Sequence, residues 1–487
     1  MNIVFATSEM VPFAKTGGLA DVCGSLPLVL AEKGHTVKIF LPKYKMIDAA
    51  LFYATQELDL IDIVLGDEVV SGKVHVYDYA QRVQVLFVEN DDFFNRDDLY
   101  GTSENDYPDN DRRFIFFQKV LLKTLKAINF KPHILHCHDW QTALLPVYLK
   151  TVHKEDPFYE KTKTFLTIHN MAYQGMFSSA AFPLTGLSWD EFTVEKLEFY
   201  GKSNFLKGGI LYADVLTTVS QRYAQEIQLK EFGCGLEAVI KQRRNNLYGI
   251  INGIDKNEWN PETDKDITVN FSINQLNKKY INKGVLQKEN KLAVDRNVPL
   301  VGIVTRLTDQ KGLDILTPLM PQLAQMEVQV VLLGTGDKRY NKKFAQFGEE
   351  YPDTFGVNIM FDAQMARRIY AGADMILMPS HFEPCGLSQL IGLRYGTVPL
   401  VRETGGLADT VIDFNRNTGK GNGFVFSEYT KDALLKTIQK ALEYYKNKEL
   451  WRTIVVNGMR CDFSWDASAE KYIELYNKEK KKDLMYA

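Results

Sequence analysis

The chain has 487 residues, and this length predicts about two to four domains. Its 58 lysines and arginines nearly balance 61 aspartates and glutamates, so it lacks the basic excess of a nucleic-acid-binding protein. The 5 cysteines are scattered without a CxxC pair, which argues against a disulfide framework and a zinc site. No apolar run reaches the ~18 residues of a membrane span, so we expect a cytoplasmic protein.

The first half of the sequence alternates buried strands with amphipathic helices. Residues 3–7 predict a strand, the helical spacing after them ends at Gly34, and residues 37–42 predict the next strand. That succession is a βαβ unit, which predicts a parallel sheet. Residues 1–255 are therefore expected to form a doubly wound N-terminal domain. Its other predicted elements are strands at 133–139, 164–169 and 215–220 and a helix at 114–128.

A second alternating series fills the C-terminal half. Strands are predicted at 299–305, 328–334, 375–380 and 397–403. They indicate a second Rossmann-like domain over residues 256–460, with residues 461–487 as a C-terminal helix that returns to the N-terminal domain. The polar run 258–290 is rich in Asn and Lys and weakly patterned, so we interpret it as a crossover and linker.

The hexapeptide TGGLAD occurs twice, at residues 16–21 and 404–409. Each copy follows a buried strand and opens a helix, and ligands of open parallel sheets bind beyond the carboxyl ends of the strands. We therefore predict an α/β fold of two doubly wound domains that face each other across a cleft. Each domain would offer the backbone of a glycine turn to a sugar phosphate. A simpler explanation is that a favourable helix-start sequence is used twice.

Polar and cationic residues follow the predicted strands of the N-terminal domain. Lys15 stands beside the first glycine turn, where a helix N-terminus favours a phosphate, although a lone loop lysine is often only solvated. Asp139, His169 and Asn170 each come after a strand, so we expect them on one rim of the sheet. These side chains lack the spacing of a zinc site, and the DxD pairs at 109–111 and 264–266 do not directly follow strands. No metal and no cofactor is therefore predicted.

Two cations and one carboxylate mark the loops of the C-terminal domain. Arg306 and Lys311 share one β–α loop, which suits a diphosphate leaving group, although loop cations are often only surface residues. Glu383 lies between a strand and a helix start, where it either binds hydroxyls or merely complements the helix dipole. Amides and one hydroxyl at the helix start would point at a ligand from Cys385, Gly386, Leu387 and Ser388.

Seven motifs occur along the chain: KTGGLADV, HCHDW, TIHNMAYQG, IINGID, TRLTDQKG, AGADMILMPSHFEPCGLSQL and VRETGGLADTV. In their order and spacing they closely resemble the bacterial glycogen synthase and starch synthase family, whose members are retaining glucosyltransferases of GT-B architecture. The resemblance covers nearly the whole chain. It implies transfer of glucose from ADP-glucose to the non-reducing end of an α-1,4-glucan with retention of configuration. The implied partners are the nucleotide sugar and the glucan.

The resemblance also implies roles for individual residues. Lys15 and Gly18 would contact the sugar nucleotide, Asp139 and His169 would hold the transferred glucose, and Arg306 with Lys311 would bind the diphosphate. Glu383 would hold glucose hydroxyls or steady the reacting centre. The predicted catalytic group is His169, Glu383, Arg306 and Lys311. The predicted substrate-binding group is Lys15, Gly18, Asp21, Asp139, Asn170, Asn252, Phe361, Cys385, Gly386, Leu387, Ser388, Thr404, Gly405 and Gly406.

Two segments depart from the family pattern. Gln221 and Arg222 stand in VSQRYA where the family usually has VSPTYA, which would affect the acceptor side or a surface turn. Phe361 stands where family members often stack a tyrosine on the base, so stacking survives without the hydroxyl and UDP-glucose stays open as the donor.

Three further functions remain compatible with an architecture of two such domains. They are those of a nucleotide-sugar epimerase, a phosphorylase with pyridoxal phosphate, and a non-catalytic glucan-binding protein. The presence of Lys15, Arg306, Lys311 and Glu383 argues against a protein that only binds glucan. A dehydrogenase is disfavoured because no complete GxGxxG occurs.

Overall fold

Two units divide the chain in this computed structural model, which describes residues 1–102 and 105–486, the last five of these by their backbone alone. Unit 1 comprises Met1–Val219, Ala224–Ile250 and the C-terminal segment from Trp465. Unit 2 comprises Ser220–Tyr223 and Ile251–Ser464. The chain therefore leaves unit 1 near residue 250, builds unit 2, and returns to unit 1 at Trp465.

Unit 1 is built on a large, mainly parallel sheet, with all elements labelled in chain order. The strands of this sheet are β1 Asn2–Ala6, β2 Thr36–Pro42, β3 Gln56–Glu57, β4 Ile61–Leu65, β5 Glu68–Ala80, β6 Val83–Glu89, β7 Ile134–His138, β8 Lys163–Ile168, β12 Val215–Thr218 and β13 Leu247–Gly249. A separate antiparallel sheet has the strands β9 Met176–Ser178, β10 Glu198–Phe199 and β11 Lys202–Asn204. The helices of unit 1 are α1 Gly18–Glu32, α2 Asp91–Phe94, α3 Asn110–Ala127, α4 Leu144–Lys150, α5 Phe182–Thr185, α6 Phe205–Tyr212, α7 Gln221–Glu226 (whose first residues belong to unit 2), α8 Glu237–Gln242 and α18 Trp465–Tyr486.

The strand order of the unit 1 sheet is β13-β12-β8-β7-β1-β2-β6-β5-β3. It is parallel from β13 to β6, and β5 is antiparallel to β6, β4 and β3. The sequence-based prediction contained no antiparallel edge. These strands are antiparallel because β4, β5 and β6 follow one another through two-residue turns, and a parallel crossover needs a dozen residues or more.

Unit 2 is a parallel sheet with helices on both faces. Its strands are β14 Leu300–Val304, β15 Gln329–Leu333, β16 Phe355–Asn358, β17 Met375–Met378, β18 Val398–Arg402 and β19 Phe424–Phe426. Its helices are α9 Lys279–Glu289, α10 Leu313–Leu316, α11 Met320–Leu323, α12 Lys338–Glu350, α13 Ala363–Gly372, α14 Ser388–Arg394, α15 Gly405–Thr410, α16 Lys431–Lys446 and α17 Lys448–Met459. The strand order is β16-β15-β14-β17-β18-β19.

The polar run 258–290 is only partly a connection, so its interpretation as crossover and linker was wrong for its second half. Helix α9 fills residues 279–289 and buries Lys279, Lys283 and Leu286. Lys279 Nζ donates to three carbonyl oxygens and to a threonine hydroxyl, and Lys283 Nζ contacts Asp374 Oδ2 at 2.7 Å. Buried ammonium groups are tolerated when hydrogen-bond acceptors surround them. These acceptors come from residues distant along the chain, so the sequence does not reveal them.

Candidate active site

The carboxyl edge of the unit 1 sheet carries the first group of predicted site residues. Strands β1, β7 and β8 are parallel neighbours in register. Asp139 directly follows β7, and His169 directly follows β8. Because parallel strands end at the same edge, the structure brings Asp139, His169 and Asn170 together there.

Asp139 is held firmly at the end of β7. Its φ of 55° lies in the left-handed region, which is uncommon for a residue other than glycine. Its N–H donates to Thr167 O at 2.9 Å, and its Oδ1 accepts from the His169 N–H at 2.7 Å. The pKa of the carboxyl is raised to about 7, chiefly by burial and also by the charge of Glu9, while the N–H groups of His169 and Asn170 act against the rise. The site therefore contains a buried carboxyl that titrates near neutral pH.

His138 orients the ring of His169. His138 Nδ1 and His169 Nε2 lie 3.0 Å apart. Burial lowers the pKa of His138 well below its usual range and that of His169 to about 3, so both rings are neutral at physiological pH. In a neutral pair one nitrogen donates and the other accepts, and this contact leaves Nδ1 of His169 for a further partner.

The carboxylate of Glu9 binds backbone N–H groups of the first glycine turn. It accepts from the Thr16 N–H and hydroxyl, both at 2.6 Å, and from the Gly17 N–H at 3.0 Å. The Tyr100 hydroxyl donates to the same carboxylate at 2.8 Å. Because α1 begins at Gly18, the amides that this helix start can offer to a ligand begin there, whereas those of Thr16 and Gly17 are already bonded.

Lys15 and Asp21 form an ion pair beside that turn. Lys15 Nζ lies 2.7 Å from Asp21 Oδ1, and the Lys15 side chain is 51% exposed. Exposed ion pairs contribute only about 0–1 kcal/mol to stability. The Lys15 ammonium can therefore exchange Asp21 for an anionic ligand at little energetic cost.

A largely buried ion pair lies at the carboxyl edge of the unit 2 sheet. Lys311 ends a 3₁₀ turn, Asp309–Lys311, that follows β14, and Glu383 lies in the loop after β17. Lys311 Nζ is 2.7 Å from Glu383 Oε2, and their side chains are 16% and 8% exposed. The Ser380 hydroxyl donates to the same carboxylate oxygen at 3.0 Å. Glu383 therefore fixes the ammonium of Lys311 at the edge where ligands of parallel sheets bind.

Arg306 is the exposed cation of the same loop. It follows β14 by two residues, and within residues 1–102 and 105–486 its side chain makes no hydrogen bond or ion pair. Its charge is therefore available to an anionic ligand.

Phe361, in the loop between β16 and α13, is 88% exposed, so its ring is open to stacking with a flat ligand.

The second glycine turn packs closely against the Glu383 loop. Helix α15 begins at Gly405, whose φ is 43°. A Cβ there would lie 2.0 Å from Glu383 O, and a Cβ on Gly406 would lie 2.0 Å from Cys385 O. The Gly406 N–H donates to Glu383 O at 3.1 Å. Gly405 and Gly406 therefore position the Glu383 loop through the backbone, just after the Thr404 N-cap.

The helix start after Glu383 is built around Gly386, whose φ is 74°. Leu387 is the N-cap of α14, and Ser388 is its first residue. The Ser388 hydroxyl accepts from the Tyr370 hydroxyl at 2.9 Å. Cys385 is buried against the backbone of Asn252, whose own side-chain oxygen is buried without a hydrogen-bond partner in the described part of the chain.

The segment that departs from the family pattern packs within unit 2. The Arg222 N–H donates to Asp409 Oδ2 at 3.0 Å, so the last residue of the second TGGLAD caps the start of α7. The Ser220 hydroxyl donates to Pro384 O at 2.6 Å. This segment therefore supports the same loops that carry Glu383 and Gly405.

The described residues 1–102 and 105–486 contain no group of three or more His, Cys, Asp or Glu side chains arranged to hold a metal ion. The two DxD pairs have structural partners: Asp109 accepts from Arg96, and Asp264 accepts from Arg367 and Tyr395. In the same described part of the chain, no helix is long and apolar enough to cross a membrane.

Comparison with known proteins gives matches over the whole chain. The starch synthase catalytic domain matches residues 2–242, and the glycosyl transferases group 1 domain matches residues 286–454. The glycogen synthase of Syntrophotalea carbinolica is 48% identical, covering 98% of this chain and 99% of the relative. That of Thermosipho melanesiensis is 45% identical, covering 99% and 100%. The solved catalytic domain of starch synthase IV from Arabidopsis thaliana, bound to ADP and acarbose, has a TM-score of 0.89 and 32% identity and covers 99% of both chains.

Two parallel α/β units with these matches define a glycosyltransferase of GT-B fold. The fold class predicted from the sequence is thereby confirmed. The chain belongs to the glycogen synthase and starch synthase family, and its activity is that of a glycogen (starch) synthase. The family predicted from the motifs is confirmed as well.

Two contacts of the site were missed by sequence reasoning. Glu9 binds the first glycine turn, and Ser380 binds Glu383. The available signal for Glu9 was its position between a buried strand and a glycine turn whose amides need acceptors. For Ser380 it was a hydroxyl three residues before a carboxylate in one loop. Neither signal specifies a partner without the loop geometry.

Proposed function

We propose that the chain transfers glucose from ADP-glucose to the 4-hydroxyl of the non-reducing end of an α-1,4-glucan, with retention of configuration and without a metal ion. The related starch synthase structure bound to ADP and acarbose supports an ADP-linked donor and an α-glucan acceptor. The observation in this chain that carries the proposal is the Lys311–Glu383 pair, because it fixes positive charge at a ligand-binding edge, close in sequence to Arg306, whose side chain has no partner among the described residues.

Unit 2 supplies the diphosphate chemistry in this proposal. Negative charge grows on the leaving ADP as the bond between glucose C1 and the phosphate oxygen breaks. Arg306, Lys311 and the N–H groups at the start of α14 stabilise that charge, and of the two cations Lys311 is already held in place by Glu383. Removing one preorganised donor of this kind typically raises the barrier by about 2.7–4 kcal/mol, or roughly 10²–10³ in rate. Glu383 Oε2 is taken by Lys311 and Ser380, which leaves Oε1 for the hydroxyls of glucose.

Unit 1 supplies the residues that hold the transferred glucose. Asp139 is buried beside His169, and Nδ1 of His169, which has no hydrogen-bond partner in the described part of the chain, suits a sugar hydroxyl. The ionised carboxylate of Asp139 stabilises the positive charge that develops on the sugar ring in a transition state of oxocarbenium type. Lys15 and Gly18, at the start of α1, bind the phosphate of the donor.

Retention is assigned to attack on the face that the leaving group departs from. The acceptor O4 bonds to C1 as the bond from C1 to the ADP oxygen breaks, and the proton of the 4-hydroxyl passes to the leaving phosphate. These bond changes require no protein nucleophile.

Phe361 supplies a stacking surface for adenine, since its ring is exposed.

A radiolabel assay tests the proposal. The protein is incubated with glycogen and either labelled ADP-glucose or labelled UDP-glucose, with EDTA present, and the label in the precipitated glucan is counted. We expect incorporation from ADP-glucose that EDTA does not reduce, in a form released by an enzyme specific for α-1,4 bonds.

The matched control is Lys440→Ala, which removes an exposed ion pair with Asp413 elsewhere in unit 2 and should keep full activity. Arg306→Ala and Lys311→Ala should each lose at least about 10²-fold in kcat. Equal incorporation from UDP-glucose would overturn the donor assignment, and loss of incorporation in EDTA would overturn the metal-free mechanism.

A further inference from the structure

A pocket with an excess of positive charge lies at the amino edge of the unit 2 sheet, opposite the loops of the proposed donor site. Its lining includes Arg296 ahead of β14, Gly372 and Asp374 ahead of β17, and Gly396 ahead of β18. Arg306 and Glu383 follow the carboxyl ends of β14 and β17. The cavity measures about 240 Å³. We name it the amino-edge pocket.

Cations outnumber carboxylates around this pocket. Among the described residues that line it, Asp374 is the one carboxylate, and the basic side chains are Lys279, Lys283, Arg296, Lys448 and Arg452. Burial lowers the pKa of Lys279 to about 7, so the excess of positive charge rests on the other four. Asp374 is already committed, since its Oδ2 accepts from Lys283 Nζ at 2.7 Å and from the Leu300 N–H at 2.8 Å. The neighbouring Asp295 accepts only from the neutral Asn297 N–H, at 2.7 Å, and its charge acts on Lys448. Because Asp374 is paired with Lys283, this one further carboxylate faces Arg296, Lys448 and Arg452, and the pocket keeps an excess of positive charge.

The cations divide into a structural pair and an available group. Lys279 and Lys283 are buried, and each contacts four protein acceptors. Arg296, Lys448 and Arg452 are exposed, and in the described part of the chain none of them forms an ion pair. These three can therefore turn their charges to a ligand without breaking an ion pair.

Two of the available cations are already ordered on aromatic rings. The Arg296 guanidinium lies 4.1 Å from the centre of the Tyr280 ring, and Lys448 Nζ lies 3.4 Å from the centre of the Tyr445 ring. Such contacts orient a cation while leaving its N–H donors free. Burial is the main cause that lowers the pKa of Lys448; of the nearby charges, Asp374 and Asp295 raise this pKa, and Lys283 and Arg296 lower it. Lys448 is therefore held between cations and carboxylates, with its ammonium oriented by the ring of Tyr445.

We propose that the amino-edge pocket is a second anion-binding site that takes a small phosphate-bearing molecule. Arg296 and Arg452 offer planar guanidinium groups that match phosphate oxygens, and Lys448 adds a point charge. The cavity suits a phosphate or a small phosphate ester, because nucleotide-sized ligands occupy pockets of roughly 300 Å³ or more. The site lies on the same sheet as the donor loops and does not depend on the proposed reaction.

Equilibrium dialysis with labelled inorganic phosphate tests the site in a protein whose donor site is disabled by Arg306→Ala/Lys311→Ala. This background protein should bind one phosphate per chain. Adding Arg296→Ala/Arg452→Ala should weaken that binding by about tenfold or more for each guanidinium removed. The matched control adds Lys436→Ala/Lys446→Ala, which removes the same charge from exposed positions of α16 outside the pocket and should leave binding unchanged.

Unlabelled ribose 5-phosphate and inorganic phosphate then serve as competitors. Stronger displacement by ribose 5-phosphate identifies a phosphate ester as the ligand, and equal or weaker displacement identifies the free anion; both keep the site. The proposal is overturned when the background protein shows no saturable binding, or when the Arg296→Ala/Arg452→Ala protein binds like the lysine control. No donor, acceptor or turnover enters the measurement, so failure of the proposed transfer reaction would not change its result.

Discussion

Asp139 makes the stability of unit 1 depend on pH in an unusual direction. Its pKa is raised by burial from 3.8 to about 7, so between these values the folded chain holds a proton that the unfolded chain has released. The stabilising contribution is therefore complete below pH 4 and is lost as the pH rises through 7. Asn does not titrate, so the free energy of unfolding of Asp139→Asn should rise by about 2–4 kcal/mol relative to that of the wild type as the pH goes from 4 to 8. Urea unfolding of both proteins across this range measures the difference.

The same residue sets the expected pH dependence of the reaction. Under the proposed mechanism the ionised carboxylate is the active form, so kcat/KM should rise with pH through about 7. Asp139→Asn should abolish this rise of kcat/KM with pH. His169→Gln should keep the rise, because the pKa of His169 is lowered to about 3 and its ring is neutral throughout this pH range. A rise that persists in Asp139→Asn and disappears in His169→Gln would contradict the assignment.

Lys311 and Glu383 depend on each other for stability as well as for catalysis. Lys311→Ala leaves a carboxylate that is 8% exposed without its charge partner, which typically costs 3–5 kcal/mol in a fully buried pair and about 2–3 kcal/mol at this partial exposure. Lys311→Ala/Glu383→Ala should recover most of that stability and none of the activity. Urea unfolding and kcat, measured on the two variants, separate the two effects.

The carboxylate itself is tested by Glu383→Gln beside Glu383→Ala. The amide keeps the hydrogen bond from Ser380 and can still bind glucose hydroxyls, so it should retain more activity than alanine. Equal and complete loss in both variants would show that the negative charge of Glu383 is what the reaction needs.

At the scale of elements, the two TGGLAD copies start their helices in different registers. In the first copy Gly17 is the N-cap and α1 begins at Gly18, whereas in the second Thr404 is the N-cap and α15 begins at Gly405. The first copy binds the carboxylate of Glu9 with its amides, and the second binds the main-chain oxygen of Glu383. Identical sequence therefore serves two different local structures.

This difference predicts that the same substitution destabilises one copy and leaves the other nearly unchanged. Gly405→Ala places a Cβ 2.0 Å from Glu383 O at a φ of 43°, so the loop must move and several kcal/mol of stability should be lost. A Cβ on Gly17 meets nothing within 4 Å at a φ of −153°, so the free energy of unfolding of Gly17→Ala should stay within about 0.5 kcal/mol of the wild type. Thermal unfolding of both variants is the measurement. Comparable destabilisation would refute the distinction.

Elements whose pattern followed burial were predictable, and elements stabilised by particular contacts were not. Strand β14 is a continuous apolar run, so its alternation with helices predicted a parallel sheet. Helix α9 was missed because lysines usually indicate solvent, while Lys283 is enclosed by Asp374 and carbonyl oxygens far away in sequence. In the site, Asp139 and His169 were placed by the ends of their strands. The partner Glu9 and the raised pKa of Asp139 depend on distances that no spacing rule contains.

At the scale of the whole molecule, the C-terminal helix belongs to unit 1. Helix α18 packs on α1, and the Tyr476 hydroxyl contacts His136 Nδ1 at 2.7 Å in the buried interior. A chain that stops after Ser464 should lose cooperative unfolding of unit 1, because buried Ala469, Tyr472 and Tyr476 are removed together. Tyr476→Phe should cost only about 1–3 kcal/mol, the penalty of one unsatisfied buried nitrogen. Limited proteolysis would show early cleavage within α1 in the truncated chain alone.

That return of the chain has a consequence for biosynthesis. A ribosome completes every residue of unit 2 before it makes Trp465, so the nascent unit 1 waits without its closing helix while the other unit is translated. The unit begun first is the last to be finished, and during this interval the strip that α18 later covers stands open to chaperones or to neighbouring nascent chains.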